Sequence, residues 1–425
     1  MRRDFLKACG LAGLGLAIPR WSFADPAPET DRPYEGPFYV VFNASGGWDT
    51  TYLMDPKGIE GINRLYKEGD ILTQGAHKYA PTAKHKEGGI SNEEFYAEFG
   101  EELLVLNGLD YSVNNHSPGA RYMATGKLDS LAYPTFAALV AACQGPTCPL
   151  AYLTFGNYSA TGNLIPMSRV SYLPSLKKLA NADFVEGNER TPYHDSFVLD
   201  RIEQTLLEES RATSSKPRLP RVERSENMLY SAQLHSKALE RVKPFIPSSI
   251  PKERLSQQVE IALASFKAGV GVSANLTISQ FDSHANNDRD QMKLIPELLA
   301  GIAYLVRRAE ELKIRDQLVI IVQSEMGRTP NYNNGNGKDH WSIGSIMFLG
   351  RGIQGNRVIG ATDEKQFHVP VDPQSLFCNQ ETGIRLRPEH IHTALREFAG
   401  IAEHPNCKKY PLGVPESEKL QALWG

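Results

Sequence analysis

The run Leu318-Val319-Ile320-Ile321-Val322 constrains the chain more than any other feature. Five apolar residues, four of them β-branched, stand in a row without the alternation of a half-solvated strand. Such a run suits a strand buried on both faces, the condition of a central strand in a parallel sheet covered by helices. Its flanks agree. Leu294, Leu298, Leu299, Ile302, Leu305, Val306 and Leu312 recur at three- and four-residue steps and predict a long amphipathic helix. Ala274 to Phe281 reads as the strand before it, and Ser345 to Leu349 repeats the buried-strand signature after it. Phe38 to Phe42, Leu103 to Leu106 and Leu150 to Phe155 are further strand candidates; Leu131 to Ala142, a segment near Ala120 and Pro388 to Phe398 read as helices. This rhythm predicts an α/β fold, a three-layer sandwich with a mainly parallel sheet between helices and right-handed crossovers. The stretch from about Asp195 to Lys267 is helical and charged, broken by a Pro/Ser/Arg-rich segment from Arg211 to Arg224, and reads as an insert near 195–267 within one domain spanning 25–425.

Residues 1–24, MRRDFLKACGLAGLGLAIPRWSFA, read as an address rather than as structure. A basic start precedes an apolar run, Ala8 to Ile18, too short and Gly-rich to span a bilayer, and Ser22 and Ala24 fit a cut after Ala24. Arg2-Arg3 followed by Phe5-Leu6-Lys7 resembles a twin-arginine signal, which implies the twin-arginine export machinery as a partner and a periplasmic or secreted location. Export leaves Cys143, Cys148, Cys378 and Cys407. In an oxidising compartment Cys143 would close on Cys148 and Cys378 on Cys407, or all four stay free. No Cys-x-x-Cys pair exists, so a thiolate metal site is not expected. The formal net charge is −3, and the leader is itself basic, so the remainder is more acidic still. That balance argues against nucleic acid as a partner, which needs a cationic face. No apolar stretch is long enough for a membrane span.

In open α/β sheets, ligands bind beyond the carboxyl ends of the strands. The first strand is followed by Gly46-Gly47-Trp48-Asp49, the strand at 274–281 by Asp282-Ser283-His284, and the run at 318–322 by Ser324-Glu325-Met326-Gly327-Arg328. A Gly/Asn loop then delivers Lys338-Asp339-His340-Trp341. Four segments thus bring carboxylate or imidazole to one edge. Asp282 and His284 are two apart and project to the same side of an extended chain. Oxygen and imidazole donors without thiolate suit a divalent ion, Zn, Mn, Mg or Ca. The candidate ligands are Asp49, Asp282, His284, Glu325 and His340, with Asp339 as a further ligand or as an orienter of one. Four have a structural alternative: Asp49 would cap a helix beginning near Thr50, Glu325 would pair with Arg328, and Asp339 and His340 would be surface residues. The loop Asn114-Asn115-His116-Ser117-Pro118-Gly119 leads into a helix whose positive end favours anions. Ser117 is a candidate nucleophile or an N-cap, His116 a ligand or general acid, and Arg328 and Arg121 candidates to hold an anion.

These motifs, Gly-Gly-Trp-Asp at 46–49, Phe-Asp-Ser-His at 281–284, Ser-Glu-Met-Gly-Arg-Thr-Pro at 324–330, Lys-Asp-His-Trp at 338–341 and Gly-Ala-Thr-Asp-Glu at 360–364, resemble the bacterial family called domain of unknown function 1501. That family is similar to the alkaline phosphatase–sulfatase superfamily. The resemblance implies an alkaline-phosphatase-like fold and a metal-dependent hydrolase acting on a small anionic ester of phosphate or sulfate. It also carries metal ligation onto Asp49, Asp282, His284 and His340. Ser324-Glu325 stands where the superfamily has Asp-His, and His116 stands near its nucleophile. These departures leave open an exported binding or assembly protein that keeps the fold without hydrolysis.

Overall fold

The computed structural model describes residues 33–82, 89–170, 172–181, 183–185, 191–214, 222 and 236–425. The leader at 1–24 and most of the segment 211–224 lie outside the described residues. The chain divides into two compact units. In the smaller, the helix Ser196–Ser214 starts at Asp195, whose carboxylate and carbonyl accept from the Val198 and Leu199 N–H groups at 2.9 and 3.1 Å. It runs on through Arg211, where the sequence suggested a break.

The larger unit, 32–194 with 235–425, holds a seven-stranded sheet. Its strands are β1 (Phe38–Ala44), β2 (Leu104–Asp110), β3 (Tyr152–Thr154), β4 (Ser273–Ile278), β5 (Leu318–Gln323), β6 (Ile343–Gly350) and β7 (Arg357–Ile359). They lie in the order β7-β2-β6-β5-β1-β4-β3. β1 pairs in parallel with β4 and β5, β3 with β4, and β7 with β2.

Alternate residues of the buried strands enter two separate cores. Phe38, Val40, Phe42, Ile320 and Val322 pack on one face, under the helices Asn92–Phe99, Arg254–Lys267 and Asn287–Glu311. Tyr39, Val41, Val319 and Ile321 pack on the other, with the helices His116–Thr125, Phe136–Gln144 and Pro388–Phe398. This is the three-layer sandwich that the unalternated run predicts. The helix Arg254–Lys267 is part of this core, through Val259, Ala262, Leu263 and Phe266. No helix among the described residues is long and apolar enough to cross a membrane.

Two expectations change. The strand at 345–349 is as buried as foreseen, yet it runs antiparallel to both β5 and β2. It returns from β5 through a loop in which Gly327–Arg328 pairs antiparallel with His340–Trp341, with no crossover helix to reverse its direction. The foreseen disulfides are also not formed: all four cysteines are free, with Cys378 exposed and Cys407 buried in a short helix. The antiparallel return matters for the site. It sets the start of β6 beside the carboxyl ends of β1, β2, β4 and β5, so five strands deliver their loops to one edge.

Candidate metal centre

Close backbone approach assembles that edge. Gly46 has φ +121°, and a Cβ there would stand 2.4 Å from the Asp282 nitrogen, so the loops after β1 and β4 meet only because position 46 lacks a side chain. The Gly46 N–H donates to Glu325 Oε1 at 2.8 Å. On the far side, the helix Asn115 caps, His116–Thr125, lies against Glu325: a Cβ on Gly119 would be 2.4 Å from the Glu325 carbonyl oxygen. His116 is thereby held at the first helical position, over the loop after β5.

Three imidazoles converge on Asp282. His284 Nε2 stands 3.1 Å and His340 Nε2 3.3 Å from Asp282 Oδ1, and His116 Nε2 stands 3.3 Å from Asp282 Oδ2. The Nε2 atoms of His284 and His340 are 2.9 Å apart. His116, Asp282 and His340 each offer a ligand atom within 4.8 Å of the others. Behind each ring stands an obligate acceptor. His116 Nδ1 meets Glu325 Oε1 at 3.0 Å, His284 Nδ1 meets Asp339 Oδ1 at 2.9 Å, and His340 Nδ1 meets the Asn114 carbonyl at 2.9 Å. Such partners place a proton on Nδ1, and in the neutral ring that leaves Nε2 a lone pair. Two lone pairs facing at 2.9 Å, and a third facing a carboxylate, repel one another unless positive charge lies between them. The arrangement therefore fits a divalent cation, whose ligand atoms in a tetrahedral zinc site would stand roughly 3.3 Å apart.

The electrostatics lean the same way. Partial burial works to raise the Asp282 carboxyl, but the hydrogen bond and charge of Arg328, with His116 and His284, outweigh it and hold the group below the usual carboxylate range. The hydrogen bond to Glu325 lifts His116 above the usual imidazole range against its partial burial. His284 holds Asp339 low. The pocket stabilises positive charge beside a carboxylate that stays ionised.

The remaining candidates divide by position. Glu325, 4% exposed, touches the outer nitrogen of His116, where the sequence suggested ligation of the ion itself; Asp339 touches that of His284, the orienting position the sequence offered beside ligation. Asp49 caps the turn Thr50–Tyr52, as the structural alternative had it, and its carboxylate is engaged away from the imidazoles. Thr51 Oγ1 donates to Oδ1 at 2.6 Å, Asn287 Nδ2 donates to Oδ2 at 2.9 Å, and Lys338 Nζ sits 2.7 Å from Oδ2 in an ion pair with both side chains fully buried. Arg328 is also internal: it donates to the carbonyls of Gly46, Gly47 and Lys338 and, at 2.7 Å, to Asp282 Oδ1. It steadies Asp282 and is not free to clamp an anion. Arg121 likewise donates to the Leu128 carbonyl. Ser117 is neither the cap, which is Asn115, nor a member of the contacts tying the cluster together. Sequence reasoning missed the role of Lys338, although it stands beside Asp339-His340. It also missed the Asn114 carbonyl, which no side-chain pattern announces.

The class that this sheet and cluster define is an α/β sandwich with a histidine–carboxylate cluster at its carboxyl edge. The family described as protein of unknown function (DUF1501) matches residues 201–389, the stretch carrying Asp282, His284, Glu325, Arg328, Asp339 and His340. Comparison with curated proteins gives no match. Among solved structures, the chain is similar to Ps i-CgsB at 10% identity and TM-score 0.40, over 86% of this chain and 72% of that one. It is similar to the PsFucS1 sulfatase from Pseudoalteromonas sp. at 10% identity and TM-score 0.39, over 87% and 69%. It is also similar to the lipoteichoic acid synthase LtaP from Listeria monocytogenes at 8% identity and TM-score 0.33, over 84% and 76%.

Proposed function

We propose that the protein is an exported, divalent-metal-dependent hydrolase of phosphate or sulfate esters. The observation that carries this reading is the convergence of His116, His284 and His340 through Nε2 on Asp282, each ring fixed from behind. These four side chains would hold the ion, with Glu325, Asp339 and the Asn114 carbonyl setting the tautomers and Arg328 keeping Asp282 ionised. An ion bound there supplies Lewis-acid polarisation of an ester oxygen and lowers the pKa of a water. The side chains of Asp282 and His284 are 42% and 47% exposed, so the centre opens to solvent and to a small anionic ester. The twin-arginine-like start supports export of an already folded, loaded protein.

One observation favours a second reading, an exported binding or assembly protein that keeps the metal without turnover: Arg328 is engaged by backbone carbonyls and Asp282 and presents no free group at the centre. Metal analysis of the purified mature protein, with a panel of aryl phosphate and sulfate esters, separates the readings. Bound metal with turnover that is lost in His284→Ala supports the hydrolase. Bound metal with no turnover supports the second reading. No bound metal, with or without added Zn or Mn, contradicts both. For export, Arg2→Lys with Arg3→Lys should retain the protein in the cytoplasm on cell fractionation; unchanged release would remove that part of the proposal.

A further inference from the structure

We propose that a cavity at the carboxyl end of β3 is a second, metal-independent site for a single tetrahedral oxyanion, a phosphate or sulfate group. Its volume is about 150 Å³. That is below the roughly 300–1,000 Å³ of pockets for whole small molecules. It is several times the share of one water, about 30 Å³. The space suits one ionic group.

The wall chemistry selects the sign of that group. Arg169 and Arg254 are the charged residues of the lining, which contains no carboxylate; Thr154, Gln257 and Gln258 add neutral polar groups. The Arg254 guanidinium has no hydrogen bond or ion pair among the described residues. Arg169 gives one N–H, from Nη2, to Ser159 Oγ at 3.2 Å. Two arginines lining one cavity with no acid in the lining suit the bidentate needs of a phosphate or sulfate.

The floor is fixed in advance. Gln258, 4% exposed, clamps the end of β4, accepting from the Thr277 N–H at 2.8 Å and donating to the Thr277 carbonyl at 2.9 Å. Thr277 Oγ1 is buried with no partner, beside Gly156 of the lining. Arg254 also opens the helix Arg254–Lys267, which brings Gln257, Gln258 and Ile261 to the same lining. None of the lining residues belongs to the metal centre, although both sites lie at the same edge of the sheet.

The test is calorimetric titration of the full chain with inorganic phosphate and, separately, inorganic sulfate, in the presence of a chelator and with chloride at matched ionic strength as the control. Wild type should bind one equivalent saturably. Arg169→Gln and Arg254→Gln should each weaken binding by at least about tenfold, the effect of one charge-assisted hydrogen bond. The double variant should abolish it, and His284→Ala should bind as wild type does. The arginines are exposed, so the variants should keep the wild-type melting temperature. Absence of saturable binding to either ion would overturn the proposal, as would binding that survives the double variant or disappears in His284→Ala. Because the chelator removes any metal, this outcome is read independently of whether the metal centre is catalytic.

Discussion

Asp49 and Lys338 show how a buried pair can stabilise the fold around a site without touching its imidazoles. Their side chains are fully removed from water and face each other at 2.7 Å. The carbonyl of Lys338 accepts from Arg328, which in turn holds Asp282. Asp49→Asn leaves a buried ammonium without its counter-charge. The expected loss is about 3–5 kcal/mol in urea unfolding, with one metal ion still bound by the folded protein. Glu325→Gln acts differently. It removes the anionic partner behind His116, and metal affinity should fall about 10–100-fold by competition with a chelator. Equal metal loss in the two variants would contradict the separation drawn between the ion pair and the imidazole cluster.

At the scale of elements, two contacts carry most of the arrangement. The strand β5 is buried along its whole length, and Ile320 sits in the core under the helix Asn287–Glu311. Ile320→Ala should cost about 2–5 kcal/mol in chemical denaturation, through lost burial and the cavity left behind. The helix His116–Thr125, which sets His116, is tied to the helix Pro388–Phe398 by the Tyr122 hydroxyl donating to Glu389. Burial, with Glu418 and Asp110 nearby, pushes the Glu389 carboxyl up to about 7. The folded state therefore binds a proton that the unfolded chain, with an ordinary glutamate pKa of about 4.3, has released. By linkage this contribution to stability is fully present below about pH 4.3 and is lost as pH rises to 7. The melting temperature of Glu389→Gln should fall less than that of wild type across this window, and parallel curves would refute the assignment.

For the whole molecule, the layers were legible because they rest on periodicity. The unalternated run at 318–322 suits a strand covered on both faces, as it proves to be, and the amphipathic helix before it supplies one cover. The direction of β6 was not legible, since burial of Ile346 and Phe348 is the same in either orientation and only the connection decides it. At the site, Asp282, His284 and His340 could be read from strand-end logic, and they do come together. Glu325 and Asp339 could be placed nearby, but ligand and orienter have the same chemistry in sequence and differ only in which imidazole nitrogen they face. Arg328 looked like an anion clamp because its partners are backbone carbonyls that no pattern of side chains reveals. The central claim is that one divalent ion sits among three Nε2 atoms and Asp282. X-ray absorption at the zinc edge, on protein loaded with one equivalent, tests it most directly. The account predicts nitrogen and oxygen ligands at about 2.0–2.1 Å with the scattering signature of several imidazoles, diminished in His340→Ala. A spectrum of a fully hydrated ion, or one unchanged by loss of His340, would contradict it.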